Sequence, residues 1–200
     1  EAERMGRMLG DRVVSAVAPA KVVARNDADA ISLKAALISV DLPRRPLPTL
    51  SRANAILLDA RAMHQQLKAA GHHRASLRTA EVAIFGAESL LNLVLAQNEG
   101  LVDRRLNEYQ PFQVQVVRIG DVCIVGWPGE IFVEYALRLK RKSPRKTFIT
   151  AYTNGELQGY IVTPEAAAEG GYEAASRLFE PAAGDVLVET ALSLINRVYP

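Results

Sequence analysis

Val122-Cys123-Ile124-Val125 is apolar on both faces of any strand it forms, and this run constrains the fold more than any other stretch. A strand of that kind belongs in a central, well-buried position of a sheet. Gly120-Asp121 just ahead of it reads as a tight turn, and Phe112 to Val117 as the preceding strand of a hairpin. With 200 residues, 49% of them hydrophobic and 23% charged, the chain can build a sizeable core around that hairpin, in one large domain or two small ones.

The remaining periodicities supply the layers. Met5, Met8, Leu9, Val13, Ala16 and Val17 recur at helical spacing, and Pro19 ends that helix. Ala30 to Leu42 reads as extended, up to the proline-rich loop Pro43 to Pro48. Leu50, Ala53, Leu57, Ala60, His64 and Leu67 form one helical stripe that ends at Gly71. Leu77, Ala80, Ile84, Ala87, Leu91 and Val94 form another that ends near Gly100.

Pro128 suits the first turn of a helix carrying Ile131, Phe132, Tyr135, Ala136 and Leu139. A basic loop, Arg138 to Lys146, then leads to a strand over Thr147 to Tyr152. Thr163-Pro164 caps a short helix, and Asp185 caps a last one over Val186 to Val198. No repeat, low-complexity tract or linker interrupts this order. The expected fold is α/β (α+β): a mixed β-sheet layered with α-helices in a single unit.

Composition narrows the partners. A net charge of +2 argues against nucleic acid or an anionic membrane surface as the main partner. The longest apolar runs fall short of a membrane span, so no transmembrane segment is expected. Cys123, the single cysteine, sits in an apolar run and reads as a buried free thiol. The start Glu1-Ala2-Glu3-Arg4-Met5 is charged, shows no signal peptide and reads as cut from a longer chain, which leaves the compartment open.

Four side chains stand out as candidates for chemistry. Glu130 follows the buried strand and the Trp127-Pro128-Gly129 turn, at a strand's carboxyl end where α/β sites gather. In the first turn of a helix the macrodipole favours its ionised form, making it a competent metal ligand or general base. Read alone, an acidic residue in a first turn is commonly no more than that. Tyr160, between Gly159 and the extended pair Ile161-Val162, would ordinarily be half-buried packing. Tyr172 and Glu173 follow Gly170-Gly171 and read as a structural turn.

The histidines add nothing decisive. His64 falls on an apolar stripe, and His72 and His73 follow Gly71 in an interhelical turn, with no zinc-type spacing among them. The chain has no nucleophile elbow, phosphate loop or dinucleotide fingerprint. Arg138, Lys140, Arg141, Lys142, Arg145 and Lys146 lack interleaved aromatics and read as a solvated run.

Together, Pro128-Gly129-Glu130, Asn154, Tyr160-Ile161-Val162-Thr163 and Tyr172-Glu173-Ala174-Ala175-Ser176 resemble the neutral/alkaline (non-lysosomal) ceramidase family, in the same order. That family comprises zinc-dependent amidases that cleave the N-acyl bond of ceramide. The resemblance is strong from Gly126 to Pro181 and diffuse from Val22 to Glu99. It implies that residues 1–200 are the C-terminal portion of a single catalytic domain, and that Glu130 and Tyr160 are zinc ligands. Tyr172 and Glu173 would support those ligands from behind. The family's two zinc-binding histidines and its catalytic serine would lie upstream, in another part of the same domain, so this stretch alone would be inactive.

Departures from the family pattern matter as well. Leu157, Gln158 and Gly159 replace more aromatic and polar residues, and the Glu130–Tyr160 link is shorter. The resemblance therefore points to a compact bacterial branch acting on ceramide or a related N-acylated lipid. Two other readings remain open at this point. One is a hydrolase of a different acyl amide or ester, and the other is a non-catalytic scaffold or binding member of the same fold.

Overall fold

The computed structural model describes residues 1–18 and 31–199. The chain divides into two units, the first ending at Ser32 and the second starting at Leu33. In the first unit, α1 (Ala2–Val17) carries the expected stripe, with Met5, Met8, Leu9, Val13 and Val17 exposed. Pro19 and Ala30, expected as the end of that helix and the start of a strand, lie outside the described residues.

The second unit is a mixed sheet layered with helices, as the periodicities predict. The hairpin is present as β2 (Phe112–Ile119) and β3 (Val122–Gly126), and β1 (Leu33–Val40) pairs antiparallel with β2. β5 (Lys146–Thr150) pairs parallel with β3, giving the order β1-β2-β3-β5. The run that demanded an interior place thus becomes an inner strand, with Cys123 and Val125 fully buried.

One sheet face is covered by α8 (Ala182–Val198), which also packs against α5 (Val133–Lys142). Phe112, Val114 and Val116 from β2 join Leu187, Val188, Leu194 and Ile195 from α8 in one apolar core. Full burial of each such side chain stabilises by about 1.5–3 kcal/mol. Alternation along β2 leaves Gln113 and Gln115 on the opposite face, as a period of two requires.

The α2 (Leu50–Ala69) and α3 (Arg74–Asn98) stripes pack on each other around Ala53, Leu90 and Val94. Thr49 caps the first and His73 the second, each accepting from a backbone N–H at the helix start. By length and composition α3 could cross a membrane. Here it packs against α2 and against α7 (Tyr172–Ser176).

Several boundaries differ from the sequence reading. α4 (Leu101–Tyr109) went unread, because only Val102 and Leu106 of its nine residues are buried and the rest is mostly polar. The helix expected from Pro128 begins at Val133; Glu130 and Ile131 instead form β4 (Glu130–Ile131), paired parallel with β6 (Tyr160–Ile161). The basic run is helical through Lys142, with Arg138 on Asp185 and Lys142 on Glu189 across to α8. Asp185 lies in the first turn of α8 without capping it, since the helix opens at Ala182 after Pro181. The strand expected to reach Tyr152 ends at Thr150. Thr163 caps α6 (Pro164–Glu169) as expected, its Oγ1 accepting from the Ala166 N–H.

Candidate functional site

Glu130 and Tyr160, thirty residues apart in sequence, sit directly opposite each other in the β4–β6 register. The Phe132 N–H donates to the Ile161 carbonyl at 3.0 Å and locks that short pair. Glu130 is therefore strand, not the first helical turn, and the macrodipole argument passes to Glu134. The other expectation about its place stands. The site lies just beyond the carboxyl ends of the parallel strands β3 and β5, where the Trp127 N–H donates to the Thr150 carbonyl.

A glycine in the left-handed region precedes each of the two residues: Gly129 at φ 76° and Gly159 at φ 73°. A Cβ on Gly129 would lie 2.6 Å from the Leu157 Cβ, and one on Gly159 would lie 2.6 Å from the Ser176 carbonyl oxygen. Both positions thus require glycine twice over, for backbone conformation and for space. Leu157 is buried against Gly129, which explains an apolar residue there.

The two side chains line a cavity of about 670 Å³ together with Tyr152, Tyr172, Ser89 and Ser176. The Tyr172 ring meets the Tyr160 ring edge-on, with centroids 5.9 Å apart. Glu173 lies on the adjoining cavity with Tyr172 rather than on this one. Ser176 Oγ donates to Ser89 Oγ at 2.9 Å, joining α7 to α3 beneath the site.

Burial and the nearby Glu130 carboxylate push the Tyr160 phenol up to about 12. The same carboxylate, ahead of burial, raises Tyr152. Both phenols therefore keep their protons through the neutral range unless a cation compensates the carboxylate.

Tyr152 was not legible as a site residue. It adopts φ 56°, rare for a bulky side chain, and Asn154 adopts φ 61°. Strain of this kind clusters where a backbone is held for a purpose. The Asn154-Gly155 pair signals a turn in the sequence, but nothing local says that Tyr152 would be turned towards Glu130.

His64, His72 and His73 do not line the cavity. His64 Nε2 lies 3.9 Å from Glu81, and the His73 side chain caps α3. Among the described residues no three His, Cys, Asp or Glu side chains converge to hold a metal. For zinc, a carboxylate and a phenol are suitable in kind but supply only part of the three or four protein ligands such a site needs.

No protein-family model matches the chain, and no curated protein matches it. Solved structures similar to part of it include two ceramidases. One is neutral ceramidase from Pseudomonas aeruginosa, at 27% identity and TM-score 0.37, covering 42% of this chain and 15% of that one. The other is a ceramidase complexed with C2, at 23% identity and TM-score 0.38, covering 44% of this chain and 15% of that one. The matched part thus spans about 15% of the length of either ceramidase.

Proposed function

We propose that this chain carries part of the active site of a ceramidase-like zinc hydrolase acting on the N-acyl amide bond of ceramide or a related N-acylated lipid. The observation that supports the reading is the opposed register of Glu130 and Tyr160 on the wall of a cavity. Glu130 and Tyr160 would hold the metal, and two histidines from an upstream part of the same domain would complete its ligands. When bound, zinc supplies Lewis acidity that activates water and polarises the amide carbonyl.

The chain's own residues would do the rest. Gly129 and Gly159 set the two donor side chains on adjacent backbones with no freedom to slide. Tyr172 fixes the Tyr160 ring, and Tyr152 keeps a proton beside the Glu130 carboxylate, available to a developing negative charge on the substrate. Leu93, Leu101, Val102 and Leu106 give the cavity an apolar wall for an acyl chain.

The decisive experiment uses the full-length protein and reads metal content alongside hydrolysis of N-acyl amides. Glu130→Gln is expected to lose both zinc and activity. Unchanged zinc in that variant would overturn the ligand assignment. Absence of both zinc and hydrolysis in the full-length protein would favour a non-catalytic member of the fold.

A further inference from the structure

A second set of side chains, away from Glu130 and Tyr160, is left electrostatically incomplete. Arg45 donates from Nη1 to the Ala174 carbonyl at 2.9 Å and from Nη2 to the Ala175 carbonyl at 3.2 Å. Arg177 donates from Nη1 to the same Ala174 carbonyl at 2.6 Å. Two half-buried guanidinium groups therefore converge on one oxygen. Among the described residues no carboxylate forms an ion pair with either. The Nε–H of each is buried without a hydrogen-bond partner.

Like charges held together out of water are costly unless an opposite charge joins them. Burial, and then the neighbouring Arg177, bring the Arg45 guanidinium down to about 10, with Glu180 only partly offsetting them. Burial lowers Arg177 in the same direction. Helix carbonyls answer two of the five donors on Arg45, and Glu180 offsets only part of the charge on the two arginines.

Both arginines open on a cavity of about 390 Å³ between α2, α3, α6 and α7. Its walls are small and apolar: Ala60 from α2, Ala83 and Ala87 from α3, and Ala167 from α6, with Ile56 and Leu90 behind. Alanine at these wall positions, and at Ala174 and Ala175, leaves volume that larger side chains would fill. A planar guanidinium matches the two oxygens of a carboxylate, and the apolar walls suit a short hydrocarbon body better than a fully hydrated anion.

We propose that Arg45 and Arg177 form a binding site for a small organic carboxylate whose apolar body occupies the alanine-lined cavity. This inference is independent of the zinc reading and draws on none of its residues.

The test is a calorimetric titration of the purified, chelator-treated protein with sodium hexanoate at fixed ionic strength. Hexanamide serves as the uncharged probe and inorganic phosphate as the competing anion. Hexanoate is expected to bind saturably, and hexanamide not at all. Arg177→Gln, which keeps a donor for the Ala174 carbonyl, should weaken hexanoate by at least about tenfold. Ala83→Leu adds bulk to the cavity wall from an exposed position of α3, and should weaken it by a similar factor. Absence of saturable binding to the folded protein, or affinity unchanged in both variants, would overturn the proposal. Phosphate binding more tightly than hexanoate would overturn the carboxylate assignment.

Discussion

The seam between α8 and the sheet and the seam between β4 and β6 are held by opposite means. In the first, Phe112, Val114, Val116, Leu187, Val188 and Ile195 bury large side chains over a wide area. In the second, each strand has two residues, and Gly129 and Gly159 bring backbone against its neighbours with no side chain between. Stability spread over many methyl groups tolerates small losses at any one place. Placement concentrated in two glycines does not, because a single added carbon moves the residue that follows.

The largest expected effect tests the first seam. Leu187→Ala removes a fully buried side chain and should cost about 2–5 kcal/mol in a urea titration while leaving the tyrosine near-ultraviolet signal of the folded protein in place. A loss under about 1 kcal/mol would mean that the core is not where the stability resides.

Gly159→Ala tests the second seam. The left-handed backbone alone should cost about 1–2 kcal/mol, and the clash with the Ser176 carbonyl must be relieved by movement. The expected signature is a changed near-ultraviolet signal from Tyr160 and Tyr172 out of proportion to the stability lost. If stability falls as it does for Leu187→Ala and the tyrosine signal is native, the contrast between the two seams fails.

The smallest effect joins the seams. Tyr135 is buried against α8, and its hydroxyl lies within hydrogen-bonding distance of the Val162 carbonyl after β6 and the Pro181 carbonyl before α8, at 3.0 and 2.8 Å. Burial, followed by Asp185, pushes its phenol up to about 12 from an ordinary 10.0. The folded state thus binds the proton more tightly than the unfolded state, so this contribution is complete below pH 10 and is lost as pH rises through 12. Tyr135→Phe should cost about 0.5–1.5 kcal/mol near neutrality and flatten the fall in urea midpoint between about pH 10 and pH 12. An unchanged slope would sever the link.

Legibility followed the range of the interactions. The hairpin, α2, α3 and the body of α8 are set by period and by local turns, and their sequence patterns announce them. α4 was missed because its two buried residues leave too thin a stripe. No helix starts at Pro128 because the competing partner is remote: β6, thirty residues on, pairs with Glu130 and Ile131 and holds them extended. For the same reason Tyr152 carried no signal, and neither did the meeting of Arg45 with Arg177 across more than a hundred residues of chain.

Residue order alone carried the layered α/β class and the inner place of the strand that starts at Val122, and it drew attention to Glu130 and Tyr160. Those depend on hydrophobic periodicity and on a recognisable order of short motifs, both of which are written locally. Folding settled that Glu130 is strand and not helix, that Tyr160 stands opposite it, that the Tyr172 ring meets the Tyr160 ring edge-on, and that two arginines share one carbonyl. Each of these is a pairing between distant segments. Its geometry depends on which backbones come close enough to exchange hydrogen bonds, and no window of sequence contains both partners.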